Sequence, residues 1–343
     1  GLGTAQRKQM RTTYLKNTRP DDPASTPGRG ARRARGGPDG GGRLSAPPRV
    51  IAEGSNWFIN WADFPSVIPV TDRFWAAHWL QQKPGDVYSY DVRMSVSRDG
   101  GESWSPPMSP HDDGTPTEHG FVSLLASGGR VQAAWLDGRQ RSGEHEHGHG
   151  SGGAMTLRGA LVQSDGRMQG KDYELDGRVC DCCQTDAAMT GGGEVVVYRD
   201  RSDDEVRDIA IVRHTVDGWS EPVHVSNDGW RIDACPVNGP AVDARGDDVV
   251  VAWFTAPDKP RVRVAFSGDG GRTFSEPVEV ASGKVAGRVD VVLLAEIDSL
   301  HGTLSGPATC VLLRRACHLF GQTRYERLAT ISSRRLWVAK WRI

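Results

Sequence analysis

Three short segments with nearly the same letters recur along the chain: "WSPPM" at 104–108, "WSEPV" at 219–223 and "FSEPV" at 274–278. Each follows an Asp-Gly turn, and "VQSDG" at 162–166 is a fourth, degenerate copy of that turn. The four turn aspartates are Asp99, Asp165, Asp217 and Asp269, at intervals of 66, 52 and 52 residues. A regular interval of this size indicates a repeat fold in which each unit is one supersecondary motif.

Each unit contains strand-like segments in the same order. The first segments are small and apolar, which is typical of strands buried on both faces: "DFPSVIPV", "HGFVSLLA", "TDAAMTG" and "NGPAVDA". The second are rich in β-branched and aromatic residues: "RFWAAHWL", "RVQAAWLD", "EVVVYRD" and "DVVVAWFT". Third segments follow, and a fourth strand is expected after each Asp turn. The pattern predicts an all-β chain of four-stranded meanders, each forming one propeller blade.

The Asp turn itself has a simple physical explanation. In "SRDGGESW", residues 97–104, the glycines allow positive φ, and Asp99 can accept hydrogen bonds from nearby backbone amides. Trp104 supplies apolar surface for packing. The same arrangement recurs at residues 267–274. We therefore interpret the turn as a structural element, and the face on which it lies as the one opposite any functional site.

The pattern Ser-x-Asp-x-Gly-x-Ser/Thr-Trp/Phe resembles the Asp box, or bacterial neuraminidase repeat, of the sialidase superfamily. The resemblance covers residues 50–295 and implies a six-bladed β-propeller, of which four blades and part of a fifth are visible. It implies an exo-sialidase-type glycoside hydrolase that acts on sialylated or other acidic glycans without a cofactor. A non-catalytic propeller that binds glycan or protein stays open as an alternative.

Composition divides the chain into three parts. Residues 1–48 carry a net charge of +7 and are rich in Gly, Pro and Arg, so we expect them to be disordered. Residues 49–295 form the predicted propeller and are acidic, with a net charge of −13. Residues 296–343 carry +5 and lose the repeat, which indicates incomplete blades or an altered reading frame.

The chain offers few signs of macromolecular or membrane binding. The basic first segment lacks the aromatic and strand pattern of a nucleic-acid-binding module. No apolar run approaches the roughly 18 residues that a membrane helix needs, and no signal peptide is visible. We therefore expect a glycan or another small molecule as the partner, and the sequence does not indicate an oligomeric state.

The chemically unusual segments fall on the predicted face opposite the Asp turns. Carboxylates at the entries to first strands are predicted to ring a central channel and to perform acid/base chemistry: Asp63, Glu118 and Asp186. Arg139 and Arg199, which leave second strands, and Arg288, which enters the fifth first strand, are predicted to bind an acidic sugar. His119 and Asn238, at the entries to first strands, are predicted to bind it as well.

The sequence also departs from the sialidase pattern. The Arg-Ile-Pro motif expected near the first blade is replaced by "NWFINWADFPSV", which contains no Arg. The late nucleophilic Tyr of the family has no matching neighbourhood, since Tyr325 is the only tyrosine in the tail.

Cysteine usage leaves three alternatives. Of the six cysteines, the predicted propeller contains Cys180, Cys182, Cys183 and Cys235. Equivalent positions in adjacent blades bring Cys183 and Cys235 together, and a disulfide between blades would imply an extracytoplasmic, periplasmic or secreted location. A thiolate site for copper or zinc is the second alternative, and inert buried thiols are the third. The run "EHEHGHG", with His145, His147 and His149, is a further candidate for metal binding.

Overall fold

The fold is that of a computed structural model, which describes residues 8–12, 49–60, 62–84, 87–141 and 153–283. The described part contains eighteen β-strands and no helix. The tail at 296–343, with Tyr325, lies outside the described residues, as do Arg288 and the histidine run at 145–149. No helix among the described residues is long and apolar enough to cross a membrane.

The first sheet pairs two strands that are distant in sequence. It contains β1 (Lys8–Thr12) and β2 (Arg49–Gly54), which are antiparallel. The pairing runs from Lys8 opposite Gly54 to Thr12 opposite Arg49, with a register shift between Met10 and Arg11.

Four further antiparallel sheets follow in chain order, and each corresponds to one sequence unit. The first unit contains β3 (Ser66–Pro69), β4 (Trp75–Gln82) and β5 (Tyr90–Ser97). The second contains β6 (His119–Ser127), β7 (Arg130–Asp137), β8 (Met155–Val162) and β9 (Tyr173–Val179). The third contains β10 (Asp186–Thr190), β11 (Gly193–Arg199), β12 (Ile209–Thr215), β13 (Gly218–Trp219) and β14 (Val223–His224). The fourth contains β15 (Ala241–Arg245), β16 (Asp248–Thr255), β17 (Arg261–Ser267) and β18 (Val278–Ser282).

Consecutive units pack against one another through apolar side chains. Trp135 of the second unit packs with Phe74 and Val92 of the first. The second and third units share another cluster, and the third and fourth share a third one. The first strands β3, β6, β10 and β15 lie next to one another in that order. The all-β prediction with its order of meanders is thus confirmed, whereas the closed six-bladed ring stays a prediction.

The two well-formed Asp turns have the same hydrogen bonds. Asp99 Oδ1 accepts from the Ser97 hydroxyl at 2.8 Å and from the Ser103 N–H at 2.9 Å, while Ser103 Oγ donates to Asp99 Oδ2. Asp269 makes the corresponding bonds with Ser267 and Thr273. Gly100 and Gly101 adopt φ of 74° and 87°, which allows the chain to fold around the carboxylate. Each of these two turns is therefore held by one aspartate.

We predict that Asp99→Ala lowers the thermal midpoint of unfolding, because the turn loses every hydrogen bond that the carboxylate accepts. These bonds lower the pKa of Asp99. The stabilisation that these bonds give the folded chain is therefore fully present above the pKa of Asp99 in the unfolded chain. It is lost as pH falls through the lower pKa of the folded chain. Thermal unfolding at several pH values checks this.

Asp217→Ala is the matched control. Within the described part of the chain, the Asp217 carboxylate accepts none of the turn hydrogen bonds that the Asp99 carboxylate accepts. An equal effect of both substitutions at neutral pH would contradict the structural role of the Asp99 carboxylate.

Candidate functional site

The candidate site lies where the segments that enter the first strands meet. Residues 119–121 open the second unit, and a register irregularity between Gly120 and Ser123 interrupts the pairing of β6 with β7. Phe121 adopts φ of 54°, which is unusual for a residue with a side chain. This bulge turns the Phe121 N–H away from the ladder and makes it available to a neighbour.

That neighbour is the carboxylate of Asp63, from the first unit. Asp63 Oδ2 accepts the Phe121 N–H at 2.7 Å, and the side chain is only 4% exposed. A Cβ at Gly120 would lie 2.1 Å from Asp63 Oδ2, so only glycine leaves room for the carboxyl group at this point. The carbonyl of Phe121 accepts from the Thr185 hydroxyl of the third unit at 2.8 Å. Three units thus meet at one residue.

Burial changes the acidity of Asp63. It raises the pKa of Asp63 to about 7, against the lowering effect of the Phe121 N–H, and the negative charge of Glu118 raises it further. Tyr90 lies beside the same space: its ring would contact a Cβ at Gly120, and it stacks on Phe58 with centroids 3.9 Å apart. Burial and the charges of Glu118 and Asp63 raise the pKa of Tyr90 well above 10, so it holds its proton.

An ion pair lies at the more accessible side of this group. Arg141 Nη1 donates to Glu118 Oε2 at 3.2 Å, and the two side chains are 36% and 15% exposed. Sequence reasoning missed Arg141 and Tyr90. Arg141 lies two residues beyond Arg139 in the same basic segment, which is the only signal that pointed to it.

Asp186, the third predicted carboxylate, occupies the position in the third unit that corresponds to Asp63. It accepts the N–H of Val242 at 2.8 Å, so it too connects one unit to the next. Near it, Gln184 donates to the Ala62 carbonyl at 2.6 Å and accepts from the Gly239 N–H at 3.2 Å. The first-strand entries of units one, three and four are joined by these bonds.

Two predicted anion-binding arginines are occupied by the protein itself. Arg199 is 1% exposed and donates to the carbonyls of Asn238, Arg207 and Phe254. Its guanidinium also lies 4.9 Å above the Trp230 ring. In this structure Arg199 therefore holds the third and fourth units together instead of facing a ligand. Asn238 contributes its carbonyl to this contact, and its amide donates to the Pro236 carbonyl.

Arg139 belongs to a buried network between the first two units. Its guanidinium donates to both oxygens of Asp137 and both oxygens of Asp172, at 2.7–3.2 Å. Burial lowers the pKa of Arg139, but the two carboxylates outweigh this and raise it above its usual value. With its donors directed to two carboxylates, Arg139 is not the free anion-binding group that the sequence predicted.

His119 lies in the same network and is fully buried. Its ring stacks on that of His111, with centroids 4.0 Å apart, and both rings contact Asp113 Oδ1. Burial lowers the pKa of both histidines, but the contacts with Asp113 and Asp137 raise the pKa of His119, whereas that of His111 stays lowered. His119 therefore carries a proton more readily than His111. The Nδ1 of His119 faces the carbonyls of Tyr90 and Thr117 and its Nε2 faces Asp113, so the ring offers no free nitrogen for the sugar binding that the sequence predicted.

The four cysteines also come together, at the junction of the third unit with its neighbours. The Sγ atoms of Cys180, Cys182 and Cys183 all lie within 4.8 Å of one another. All four cysteines of the described residues are free thiols in this structure, which fits the metal-site and the inert-thiol alternatives.

A further cleft lies beside strand β2, and none of the site residues described above lines it. Its volume is about 340 Å³, and Glu53, Asn56, Trp57, Trp79 and Gln81 are among its lining residues. The rings of Trp57 and Trp79 stack with centroids 6.0 Å apart. The cleft offers aromatic surface beside amide groups, but no buried titratable group.

Comparison with known proteins gives structural neighbours only. No protein-family profile and no curated protein matches the sequence. A family PL25 ulvan lyase bound to -[GlcA(1-4)Rha3S]- is 12% identical, with a TM-score of 0.43 over 64% of this chain and 55% of the lyase. The chain thus spans about half the length of that enzyme.

Two further neighbours come from glycoside hydrolases. A Trypanosoma rangeli sialidase in complex with the inhibitor DANA is 14% identical, with a TM-score of 0.45 over 64% of this chain and 37% of the sialidase. A family 117 glycoside hydrolase from Zobellia galactanivorans is 9% identical, with a TM-score of 0.37 over 64% of this chain and 70% of the hydrolase. At this level of similarity the neighbours do not assign an activity.

We predict that Asp63→Asn changes stability in a pH-dependent way. Because the pKa of Asp63 is about 7 in the folded chain and about 3.8 when unfolded, ionisation disfavours folding between about pH 4 and pH 7. The asparagine keeps an oxygen for the Phe121 N–H but carries no charge. The variant should match the original chain near pH 4 and exceed it by roughly 2–4 kcal/mol at pH 8.

The measurement is urea unfolding of both proteins at pH 4, 6 and 8. A difference in unfolding free energy that does not change with pH would contradict the raised pKa.

Proposed function

We propose that the chain is a glycoside hydrolase for anionic glycans, with its reaction centre at Asp63 and Glu118. The observation that carries the proposal is the burial of the Asp63 carboxyl group, which raises its pKa to about 7, near the more accessible carboxylate of Glu118. Glycosidic cleavage needs a proton donor and a second carboxyl group that stabilises positive charge or activates water. A donor works best when its pKa lies near the working pH.

The roles follow from exposure and charge. Asp63 donates the proton to the leaving oxygen, and Glu118 stabilises the oxocarbenium-like state or acts as the base. Arg141 is 36% exposed and pairs with Glu118, so it supplies positive charge for a sugar carboxylate or sulfate at the entrance. Tyr90 stays protonated and forms the wall beside Asp63. A nucleophilic tyrosine of the sialidase type is no part of this proposal.

Within the proposal, the repeated units form a sialidase-like propeller with Asp-box turns on the far side. The identical hydrogen bonds at Asp99 and Asp269 and the side-by-side first strands support this arrangement. The glycan substrate and an extracytoplasmic location are consistent with one another, because anionic polysaccharides lie outside cells. Asp186 connects units in the same way as Asp63, and we assign it a positioning role.

The proposal predicts release of fluorophore from sialic-acid and uronic-acid methylumbelliferyl glycosides. Asp63→Asn and Glu118→Gln should each lower kcat by at least about 10²-fold, since each removes a proton-transfer or charge-stabilising group. Arg141→Gln should raise KM for acidic substrates more than it lowers kcat. Because Asp63 must be protonated, kcat should fall as pH rises through about 7.

Asp269→Ala is the control, because this residue lies in an Asp turn outside the proposed centre. It should keep kcat per folded molecule. Absence of turnover on every acidic glycoside, or unchanged kcat in both carboxylate variants, would reject the hydrolase.

The cleft beside β2 favours a second candidate function, which is non-catalytic glycan binding. Stacked indole rings next to the amides of Asn56 and Gln81 suit the apolar face and hydroxyl groups of a sugar.

If this function is correct, titration with oligosaccharide quenches tryptophan fluorescence, and Trp57→Ala abolishes the quenching while Asp63→Asn does not.

A further inference from the structure

We propose that Cys180, Cys182, Cys183 and Cys235 bind a soft d¹⁰ metal ion, Cu(I) or Zn(II), through their thiolates. The first three residues lie in the connection from β9 to β10, and Cys235 lies in the connection from β14 to β15. Strand order therefore brings together ligands from two segments about 50 residues apart. This site is separate from the proposed hydrolase centre and does not depend on it.

The distances between the sulfur atoms suit a single ion. Cys180 Sγ and Cys183 Sγ are 3.5 Å apart, and the three sulfurs of the Cys-x-Cys-Cys segment lie within 4.8 Å of one another. Around an ion with metal–sulfur bonds of about 2.3 Å, ligand sulfurs are separated by roughly 3.8–4.0 Å. Only small side-chain movements are needed to reach that separation. Cys235 lies outside this group of three but interacts with Cys182, and its exposed side chain is the candidate for a fourth ligand.

Two buried arginines place positive charge beside the cysteine group. Arg207 is fully buried, and its Nη1 donates to Cys180 Sγ at 3.2 Å while Nη2 donates to Glu205 at 2.8 Å. The positive charges of Arg207 and Arg199 both act on the Cys180 sulfur. A thiolate–metal complex carries net negative charge, which these two buried cations offset.

A disulfide and inert core thiols both fit the cluster less well than a metal site does. Inert core cysteines need no buried cation, yet Arg207 directs one donor at a sulfur. All four cysteines are free thiols in this structure, and the sulfurs of Cys180 and Cys183 are 3.5 Å apart, far beyond a sulfur–sulfur bond. Soft thiolate ligands select Cu(I) and Zn(II) over hard cations. Binding releases the remaining thiol protons to solvent and needs no oxidant or reductant.

The test uses the full chain, purified without oxygen or chelator. Cu(I) is titrated against bathocuproine disulfonate and Zn(II) against a chromogenic zinc indicator, with sulfur-to-metal charge-transfer absorption as an independent signal. We expect one ion per chain. Because Cys182 is partly exposed and central to the cluster, Cys182→Ser should weaken binding by more than the 10- to 100-fold typical of outer-shell partners.

Two comparisons sharpen the result. The variant with Cys310→Ser and Cys317→Ser is the matched control, since it removes the two other cysteines of the chain, and it should bind the metal as the original does. Cys235→Ser tells the ions apart: three thiolates suffice for Cu(I), whereas a structural Zn(II) site loses one of its four ligands. Circular dichroism establishes that each variant is folded.

The proposal is overturned if neither ion competes with its indicator, or if Cys182→Ser binds as tightly as the original chain. Thiol counting that finds these four cysteines oxidised in the native, anaerobically purified protein also overturns it. None of these results bears on hydrolysis, so the two proposals fail separately.

Discussion

The hydrogen bond from the Phe121 N–H to Asp63 is the contact around which the described structure is arranged. It exists because a bulge in β6 turns one backbone N–H out of the ladder, and because Gly120 leaves space for the carboxyl group. The Phe121 carbonyl is taken by Thr185 of the third unit. Phe121 is thus held by hydrogen bonds to the first and to the third unit. Backbone strain of this kind persists only where the surrounding contacts enforce it.

In the proposed hydrolase, the same contact also accounts for the acidity of the site. A carboxylate that joined two units in open water would have an ordinary pKa and no catalytic advantage. Here the contact buries the carboxyl group near Glu118, and burial makes its proton hard to remove. In the proposed hydrolase, the stabilising bond and the acidic proton of Asp63 are therefore two consequences of one placement.

The sequence predicted the fold well because the signals it used are local. Strand segments such as "RVQAAWLD" and turns such as "SRDGGESW" depend on alternation, β-propensity and glycine at defined positions, and β7 and the Asp99 turn form as predicted. Ionisable residues at the site were harder to judge. Asp63 and Glu118 were identified by their position before a strand, but burial, bulges and pairing partners decide what each residue can do.

The arginines and cysteines illustrate the difference. Arg139 and Arg199 leave second strands as predicted, yet nearby carboxylates and carbonyls that the sequence does not place take their donors. Arg141, two residues further along, keeps the exposure that a ligand needs. Strand order predicted that cysteines of adjacent units lie near one another, but it did not predict whether those cysteines are oxidised. The buried Arg207 beside Cys180 had no sequence signal.

The most direct test of the proposed acid is the ionisation of Asp63 itself. Carbon-detected NMR of the protein labelled in its aspartate carboxyl groups, with Asp63→Asn to assign the resonance, follows this one group as pH changes. We predict a midpoint near pH 7. A midpoint near the ordinary value of about 3.9 for an aspartate would contradict this, since Asp63 would then be ionised at neutral pH and could not donate a proton.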